Sequence, residues 1–323
     1  MTERQHDVVI LGGGPAGVSA ALECSDIQLD VLLLEANSVL GGQLAEISHP
    51  IRNVATRWYA DGPALDSGLQ AAAELLGDRV LLNHKVSSTD LSEGWVEADG
   101  RRFTSKATLI ASGTVAQRLA VAVDGAFSGD VTYNIESDVS RFEGRPVVVV
   151  GGGDSATLDA LALAQTASSV LLAHRSERLT ARHDIGAQLR AEPRIEDLPG
   201  WEVEALHGSE HLEEVVLVHR ATDAHRTVQA GGLVVKISRD PCTEPLRGQV
   251  DLDRRGFVVV DSELATSCPG VFAAGDVVSG AYWRISSAFG QGSLVSRSIL
   301  HYWQDGPGPG KGRATASPAQ RPQ

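Results

Sequence analysis

Two glycine-rich segments carry the residue pattern that binds nucleotide diphosphates. In the first, Gly12, Gly14 and Gly17 follow an apolar run at the spacing G-x-G-x-x-G. The first glycine permits a tight turn, the second lets a diphosphate approach the backbone, and the third lets a helix pack closely on a strand. Glu35 ends the next apolar run, where an acidic residue accepts hydrogen bonds from ribose hydroxyls. The pattern predicts a dinucleotide site.

The second segment begins at Gly151 and Gly153 and again follows an apolar run. The next apolar run ends here in His174 and Arg175, with Arg178 nearby. An arginine can pair with a 2′-phosphate that a carboxylate would repel, so this segment favours NADPH over NADH. Two such segments indicate either two dinucleotides or one dinucleotide and a degenerate copy.

Composition limits the class of protein. The chain has 323 residues, of which 42% are hydrophobic, so about two domains are expected. A net charge of −13 argues against nonspecific binding to nucleic acid or anionic membranes. No apolar run approaches the roughly 20 residues that span a bilayer, and no signal peptide is visible, so a cytoplasmic protein is expected. Cys24, Cys242 and Cys268 form neither a C-x-x-C pair nor a zinc ligand set, which predicts three reduced thiols and no metal.

The apolar pattern predicts the elements that must position the glycine segments. Short apolar runs are typical of buried parallel strands, and the Ala- and Leu-rich runs after each glycine turn are typical of helices. The predicted strands span residues 8–11, 31–34, 80–86, 94–98, 107–111, 147–150, 170–173, 202–206, 215–219, 232–237 and 258–260. The predicted helices span residues 16–24, 63–76, 157–166 and 286–303. Residues 45–62 are expected to form a long loop, and residues 306–323 a disordered tail.

In combination, these motifs resemble the low-molecular-weight thioredoxin reductase group of FAD-dependent pyridine-nucleotide oxidoreductases. The resemblance covers nearly all of residues 5–303 and rests on residues 12–17, 41–44, 108–113, 151–156, 174–175 and 269–276. It implies an α/β fold with two Rossmann-like three-layer ββα dinucleotide-binding domains. The NADPH domain, residues 115–246, would be inserted into an FAD domain made of residues 1–114 and 247–305.

The same resemblance implies the cofactors and the residues that bind them. Asp276 would bond the ribityl chain of FAD, and Arg284 and Ile285 would face the flavin at a helix N-terminus, which stabilises negative charge near flavin N1. In the family's arginine-rich phosphate motif, two arginines are replaced by Ser176 and Thr180. The residues implied to bind FAD are Gly12, Gly14, Pro15, Ala16, Glu35, Gly42, Gln43, Leu44, Asn53, Val86, Gly113, Gly275, Asp276, Arg284, Ile285 and Ser286. Those implied to bind NADPH are Gly151, Gly153, Asp154, Ser155, His174, Arg175 and Arg178.

One departure from the family decides the expected chemistry. The positions of its redox-active C-x-x-C-D motif hold residues 134–138, in which Asn134 and Ser137 replace the two cysteines. Without two thiols no dithiol relay is possible, so electrons are expected to leave the flavin for another acceptor. Asp138 is a candidate general acid or base, or else a carboxylate that caps a turn or helix. Asn134, Ser137 and His49 are further candidates for catalysis or substrate contact.

Three functions stay open at this point. Residues 133–144 resemble the thioredoxin-reductase-like ferredoxin–NADP⁺ reductases, which lack the disulfide. This implies an NADPH oxidoreductase that serves a ferredoxin-like carrier or a small molecule. The second possibility is a flavin oxidase or dehydrogenase that acts on a small metabolite and keeps a weak or vestigial NADPH site. The third is a non-catalytic redox sensor that binds flavin or nucleotide. Since relatives form homodimers, a homodimer is expected.

Overall fold

The computed structural model describes residues 4–47, 49–125, 127, 129–135 and 139–305. The chain divides into two compact units: unit 1 is Met1–Gly113 with Pro241–Gln323, and unit 2 is Thr114–Asp240. Residues 241–246, predicted in the inserted domain, belong to unit 1. The backbone N–H of Cys242 donates a hydrogen bond to the Gly113 carbonyl, and Leu246 is buried in the unit 1 core. Ser137, Asp138 and the predicted tail 306–323 lie outside the described residues.

The elements of the described residues follow in chain order. The strands are β1 (Gln5–Leu11), β2 (Val31–Leu34), β3 (Val80–Leu81), β4 (Val86–Asp90), β5 (Trp95–Ala98), β6 (Arg101–Ile110), β7 (Thr114–Ala116), β8 (Ala122–Asp124), β9 (Val131–Thr132), β10 (Pro146–Val150), β11 (Ser169–His174), β12 (Ile195–Pro199), β13 (Trp201–Gly208), β14 (Leu212–His219), β15 (His225–Gln229), β16 (Gly232–Val235), β17 (Arg239–Pro241) and β18 (Val271–Ala273). The helices are α1 (Pro15–Asp26), α2 (Gly62–Ala73), α3 (Asp154–Leu163), α4 (His183–Ala191) and α5 (Ile285–Asp305). Short 3₁₀ turns occupy Gly42–Glu46, Glu74–Arg79, Val139–Phe142 and Glu244–Leu246.

Unit 1 is built on a sheet buried on both faces. Its order is β3-β2-β1-β6-β5-β4, with β18 pairing beside β6; β1, β2, β3, β6 and β18 are parallel. Val8 and Ile10 pack with residues of α1, α2 and α5, whereas Val9 and Leu11 pack on the opposite face with residues of β5 and of the segment 246–278. Successive side chains of a strand face opposite sides, which explains why β1 is apolar throughout.

Unit 2 is also built on a parallel sheet that is covered on both faces. The sheet β12-β11-β10-β16-β9 is parallel, and the second sheet has the order β15-β14-β13-β8. Val147 and Val149 pack with α3, whereas Val148 and Val150 pack against the second sheet. In each unit, helices cover one face of the parallel strands, and the opposite face is covered by β structure and connecting segments, so the predicted α/β fold class is confirmed.

Some predicted elements are wrong in extent or were missed. Residues 80–86 form two strands instead of one, because Asn83 adopts φ +59° and breaks the extended backbone. Residues 258–260 form no strand; Val258 makes only isolated bridges. Helix α4 was missed because only Ile185, Gly186 and Leu189 are buried in an otherwise polar stretch.

Candidate dinucleotide sites

The first glycine turn closes against the end of β6. Gly12 has φ +111°, and a Cβ there would lie 2.4 Å from the carbonyl oxygen of Ala111. A Cβ at Gly17 would lie 1.9 Å from the carbonyl oxygen of Gly12. Neither position can hold a side chain, so the turn needs glycine at both.

The N-terminus of α1 is open to an anion. Gly14 caps the helix without a side-chain hydrogen bond, Pro15 is the first helical residue, and the first turn carries no acidic residue. A Cβ at Gly14 would meet nothing within 4 Å, so space lies in front of these N–H groups. Uncapped N–H groups and the helix dipole together fit a diphosphate.

Glu35 lies at the end of β2 and is only 5% exposed. Its Oε2 accepts a 2.7 Å hydrogen bond from the Gly13 N–H, and its Oε1 accepts 2.8 Å bonds from the backbone and side-chain amides of Asn37. Oε1 thus has both acceptor positions filled, whereas Oε2 can accept one further bond, so Glu35 fits a ribose hydroxyl. The His84 N–H donates to the Glu35 carbonyl, which places Val86 two residues beyond this contact.

The structure brings together predicted FAD residues from distant parts of the sequence. Gln43 Nε2 lies 3.5 Å from Asp276 Oδ2, and a Cβ at Gly113 would lie 3.8 Å from the same nitrogen. A Cβ at Gly42 would lie 3.3 Å from Gly14 Cα, and one at Gly275 would lie 3.0 Å from the Cβ of Ala16 at the start of α1. Leu44 is buried just after Gln43. These contacts surround the first glycine turn.

The start of α5 contacts the loop that precedes α2. Ser286 Oγ donates a 2.7 Å hydrogen bond to the Asn53 carbonyl, so two more predicted FAD residues meet. Ile285 is the first residue of α5, and the Arg284 guanidinium lies 4.9 Å from the Tyr282 ring centroid. His49 is exposed in the same loop, and its role in catalysis stays a prediction.

The second glycine turn has the same construction. Gly151 has φ +136°, and a Cβ there would lie 2.2 Å from the Lys236 carbonyl oxygen. Gly153 caps α3 without a side-chain hydrogen bond, and the atom nearest to its added Cβ is Thr180 Oγ1 at 3.9 Å. Asp154 Oδ1 accepts from the Arg182 N–H at 2.8 Å, and Ser155 is exposed. The turn therefore fits a second diphosphate, although Asp154 puts a negative charge in the first turn of α3.

The His174 side chain is buried next to the second glycine turn. The side chain is 2% exposed, and its Nε2 lies 3.0 Å from Asp197 Oδ1. A Cβ at Gly152 would lie 3.1 Å from the Cβ of His174. The imidazole is therefore enclosed beneath the glycine turn, and its contact with a nucleotide stays a prediction.

The two predicted arginines lie on the surface after β11. Arg175 and Arg178 are exposed in the loop after β11, and neither forms an ion pair with a described carboxylate. Arg182, by contrast, pairs with Asp184 over 3.2 Å. The guanidinium groups of Arg175 and Arg178 are thus available for a 2′-phosphate.

Several residues at these sites were not predicted. The Asn37 side chain donates a hydrogen bond to Glu35 Oε1. Gln291 Oε1 accepts a 2.6 Å hydrogen bond from the Gly275 N–H. Lys236 lies beside Gly151 and near Asp159. The only sequence signal for Lys236 is a charge that directly follows a buried apolar run, which is uncommon but carries no ligand identity.

All three cysteines of the chain are free thiols. None of Cys24, Cys242 and Cys268 forms a disulfide, and all three lie in unit 1. Burial raises the pKa of the Cys24 thiol to about 11, and burial also raises the pKa of Cys268. At the family's first cysteine position, Asn134 takes part in a turn in which its N–H donates to Thr132 Oγ1 over 3.1 Å.

Within the described residues, no helix is both long and apolar enough to span a bilayer. The same part of the chain contains no group of three or more His, Cys, Asp and Glu side chains suited to a metal ion.

Several known proteins are similar to this chain in sequence and fold. A sequence model of the pyridine nucleotide-disulphide oxidoreductases matches residues 6–292. A thioredoxin reductase of Streptomyces clavuligerus is 33% identical over 302 residues, covering 92% of this chain and 94% of the relative. A 34.2 kDa protein in the rubredoxin operon of Clostridium pasteurianum is 28% identical over 303 residues, covering 93% and 98%. The thioredoxin reductase of Lactococcus lactis, in its FR conformation, superposes with a TM-score of 0.85 at 26% identity, covering 93% and 100%.

The family match and the fold define a flavoprotein oxidoreductase of the thioredoxin reductase-like type. The chain belongs to the pyridine nucleotide-disulphide oxidoreductase family. Its cofactors are FAD and NADPH, as the resemblance implied. The open helix N-terminus at Gly14 and the buried carboxylate of Glu35 fit this conclusion.

Proposed function

We propose that this protein is an FAD-dependent NADPH oxidoreductase that passes electrons to an acceptor other than an internal dithiol. FAD is assigned to unit 1 and NADPH to unit 2. The acceptor is a ferredoxin-like carrier or a small molecule. The observation that carries this proposal is the placement of the cysteines.

A dithiol relay needs two neighbouring thiols, at least one of them readily ionised. Unit 2 contains no cysteine, and Asn134 and Ser137 stand at the family's two positions. The buried Cys24, with its pKa raised to about 11, is almost wholly protonated at neutral pH. None of these residues supports thiol–disulfide exchange.

The chain's own residues bind and orient the two nucleotides. The α1 N-terminus and Glu35 would hold the diphosphate and ribose of FAD, and the α3 N-terminus with Arg175 and Arg178 would hold NADPH. When bound, FAD supplies the hydride acceptor for NADPH and the route by which electrons leave. Asp138 remains the proposed proton donor or acceptor for this reaction.

A protein acceptor has one line of support beyond the missing dithiol. The Clostridium pasteurianum relative is named for its place in a rubredoxin operon, and rubredoxin is an electron carrier. We also propose that the protein is a homodimer, which light scattering of the holoprotein tests.

Anaerobic stopped-flow mixing with NADPH tests the first step. The visible flavin absorption band should bleach, and ferricyanide should restore it. Oxidised thioredoxin should not restore it. A dithiol thioredoxin reductase, whose reduced flavin oxidised thioredoxin does reoxidise, is the positive control. Efficient reduction of thioredoxin, or a flavin band that NADPH does not bleach, would contradict the proposal.

A further inference from the structure

A lysine lies at the edge of the unit 2 sheet where a dinucleotide is expected. Lys236 directly follows β16, and its N–H donates a 2.7 Å hydrogen bond to the Val150 carbonyl at the end of β10. The Lys236 carbonyl oxygen lies so near Gly151 that a Cβ added there would be 2.2 Å from it. The carboxyl ends of these two parallel strands therefore place Lys236 beside the glycine turn.

The ammonium of Lys236 is incompletely satisfied. Its Nζ lies 3.4 Å from Asp159 Oδ2 on α3, and the two side chains are 15% and 10% exposed. The geometry is too poor for a hydrogen bond, since Asp159 Oδ2 accepts none from the described residues. No other described carboxylate pairs with Lys236. An ammonium has three donors, and a largely buried charge is costly unless hydrogen-bonding acceptors surround it.

The sheet order tells which half of a dinucleotide lies near Lys236. In the order β12-β11-β10-β16-β9, α3 leads from β10 to β11, while β16 lies on the other side of β10. The strand order therefore reverses between β10 and β16, and dinucleotides lie across such a crevice. Arg175 and Arg178 follow β11, so the adenosine half with its 2′-phosphate lies on that side. The nicotinamide half then extends over β16.

We propose that Lys236 binds the nicotinamide-nucleotide half of NADPH through oxygen acceptors of its ribose, phosphate or carboxamide, and that Asp159 holds the ammonium at the crevice. This proposal rests on the assignment of NADPH to unit 2. Lys236 is a binding residue, and Asp159 is a positioning residue. The chemistry is a charge-assisted hydrogen bond to ligand oxygen.

Equilibrium titrations with two ligands separate the halves of the nucleotide. NADP⁺ contains both halves, whereas 2′,5′-ADP lacks the nicotinamide nucleoside. In Lys236→Met the Kd for NADP⁺ should rise about tenfold or more, which is the range of a hydrogen bond to a charged group. The Kd for 2′,5′-ADP should stay within about twofold of wild type. Lys236→Arg, which keeps the charge, should restore part of the NADP⁺ affinity.

Two further variants separate binding from packing. Asp159→Asn keeps the ammonium but removes the carboxylate that positions it, so the Kd for NADP⁺ should rise, by less than in Lys236→Met, while the Kd for 2′,5′-ADP stays within about twofold of wild type. Lys106→Met removes a comparable lysine–aspartate pair in unit 1, where Lys106 Nζ lies 3.0 Å from Asp7 Oδ1, and should change neither Kd. Circular dichroism and melting temperatures establish that each variant is folded.

Two outcomes overturn the inference. If Lys236→Met leaves the NADP⁺ affinity unchanged, or weakens both ligands equally, Lys236 does not contact the nicotinamide half. If Lys236→Met and Asp159→Asn lower the melting temperature alike without changing either Kd, the pair serves only packing. A wild-type protein that binds neither ligand would instead refute the proposed NADPH site, which is a distinguishable failure.

Discussion

The Glu35 carboxylate accepts a 2.7 Å hydrogen bond from the backbone N–H of Gly13, so the end of β2 holds the first glycine turn in place. Asn37 donates to the other carboxylate oxygen from both its backbone and its side chain. The residue expected to bind a ribose therefore also fixes the turn that faces the diphosphate. Few other side chains at the site combine binding and support in this way.

Replacing Glu35 should release FAD. In Glu35→Gln the side-chain NH₂ replaces one of the two acceptor oxygens, so an N–H group that now donates to the carboxylate loses its acceptor. In Glu35→Ala both acceptor oxygens are lost. Leaving a buried donor unpaired costs about 1–3 kcal/mol, so the Kd for FAD should rise at least about tenfold. The ratio of flavin absorbance to protein absorbance in the purified protein measures the loss. Glu93→Gln alters an exposed turn residue and should retain full flavin. Equal flavin content in all variants would refute the role of Glu35.

Arg175 and Arg178 should set the preference between the two nicotinamide nucleotides. Both are exposed after β11 and neither pairs with a described carboxylate, so a 2′-phosphate is their natural partner. In the double variant Arg175→Ala/Arg178→Ala, the Kd for NADP⁺ should rise by about tenfold or more, while the Kd for NAD⁺ changes little. Isothermal titration checks both values. Arg182→Ala breaks only the exposed pair with Asp184 and serves as the control. A parallel loss for NADP⁺ and NAD⁺ would contradict the assignment.

The two glycine turns were predictable because short-range sequence patterns determine them. Gly12, Gly17 and Gly151 sit where a Cβ would collide with backbone, so the residue type reports the geometry directly. Glu35 ends a short apolar strand, so its place in the sequence fixes its place at the sheet edge. These features need no knowledge of distant contacts.

Other features depend on contacts that no local pattern encodes. His174 has the residue type of a phosphate ligand, but its pairing with Asp197 in β12 encloses it. Lys236 and Asp159 are far apart in sequence and meet only after β16 and α3 pack on the same sheet. The strand boundary at Asn83 depends on one positive φ value that residue type alone does not dictate.

The close packing of α1 on α5 should depend on Gly292. A Cβ there would lie 2.4 Å from the Ala16 carbonyl oxygen and 2.7 Å from Ser19 Cβ. Gly292→Ala must therefore push the helices apart and should lower the free energy of unfolding by about 1–3 kcal/mol. Gly290 lies in the same helix with nothing within 4 Å of an added Cβ. Gly290→Ala should stabilise by up to about 1 kcal/mol, because alanine favours a helix more than glycine does. Urea denaturation measures both changes, and effects of the same sign would refute the packing argument.

Asp159 should make stability fall as the pH rises. Burial raises the pKa of its carboxyl from the ordinary value of 3.8 to about 6, although Lys236 opposes the shift. Between these two values the folded protein keeps a proton that the unfolded chain has released. The stabilisation from this proton is therefore full below about pH 4 and is lost as the pH rises through about 6. The expected loss is on the order of 2–3 kcal/mol.

The variant Asp159→Asn cannot titrate and isolates this contribution. Relative to Asp159→Asn, the wild-type protein should lose free energy of unfolding between about pH 4 and about pH 6.5, as measured by urea denaturation at each pH. Asp154→Asn, which alters a different carboxylate in the first turn of the same helix, provides the matched comparison. If the wild-type and Asp159→Asn curves run parallel across this range, then Asp159 is ionised throughout, and its ion pair with Lys236 is much stronger than a 3.4 Å separation indicates.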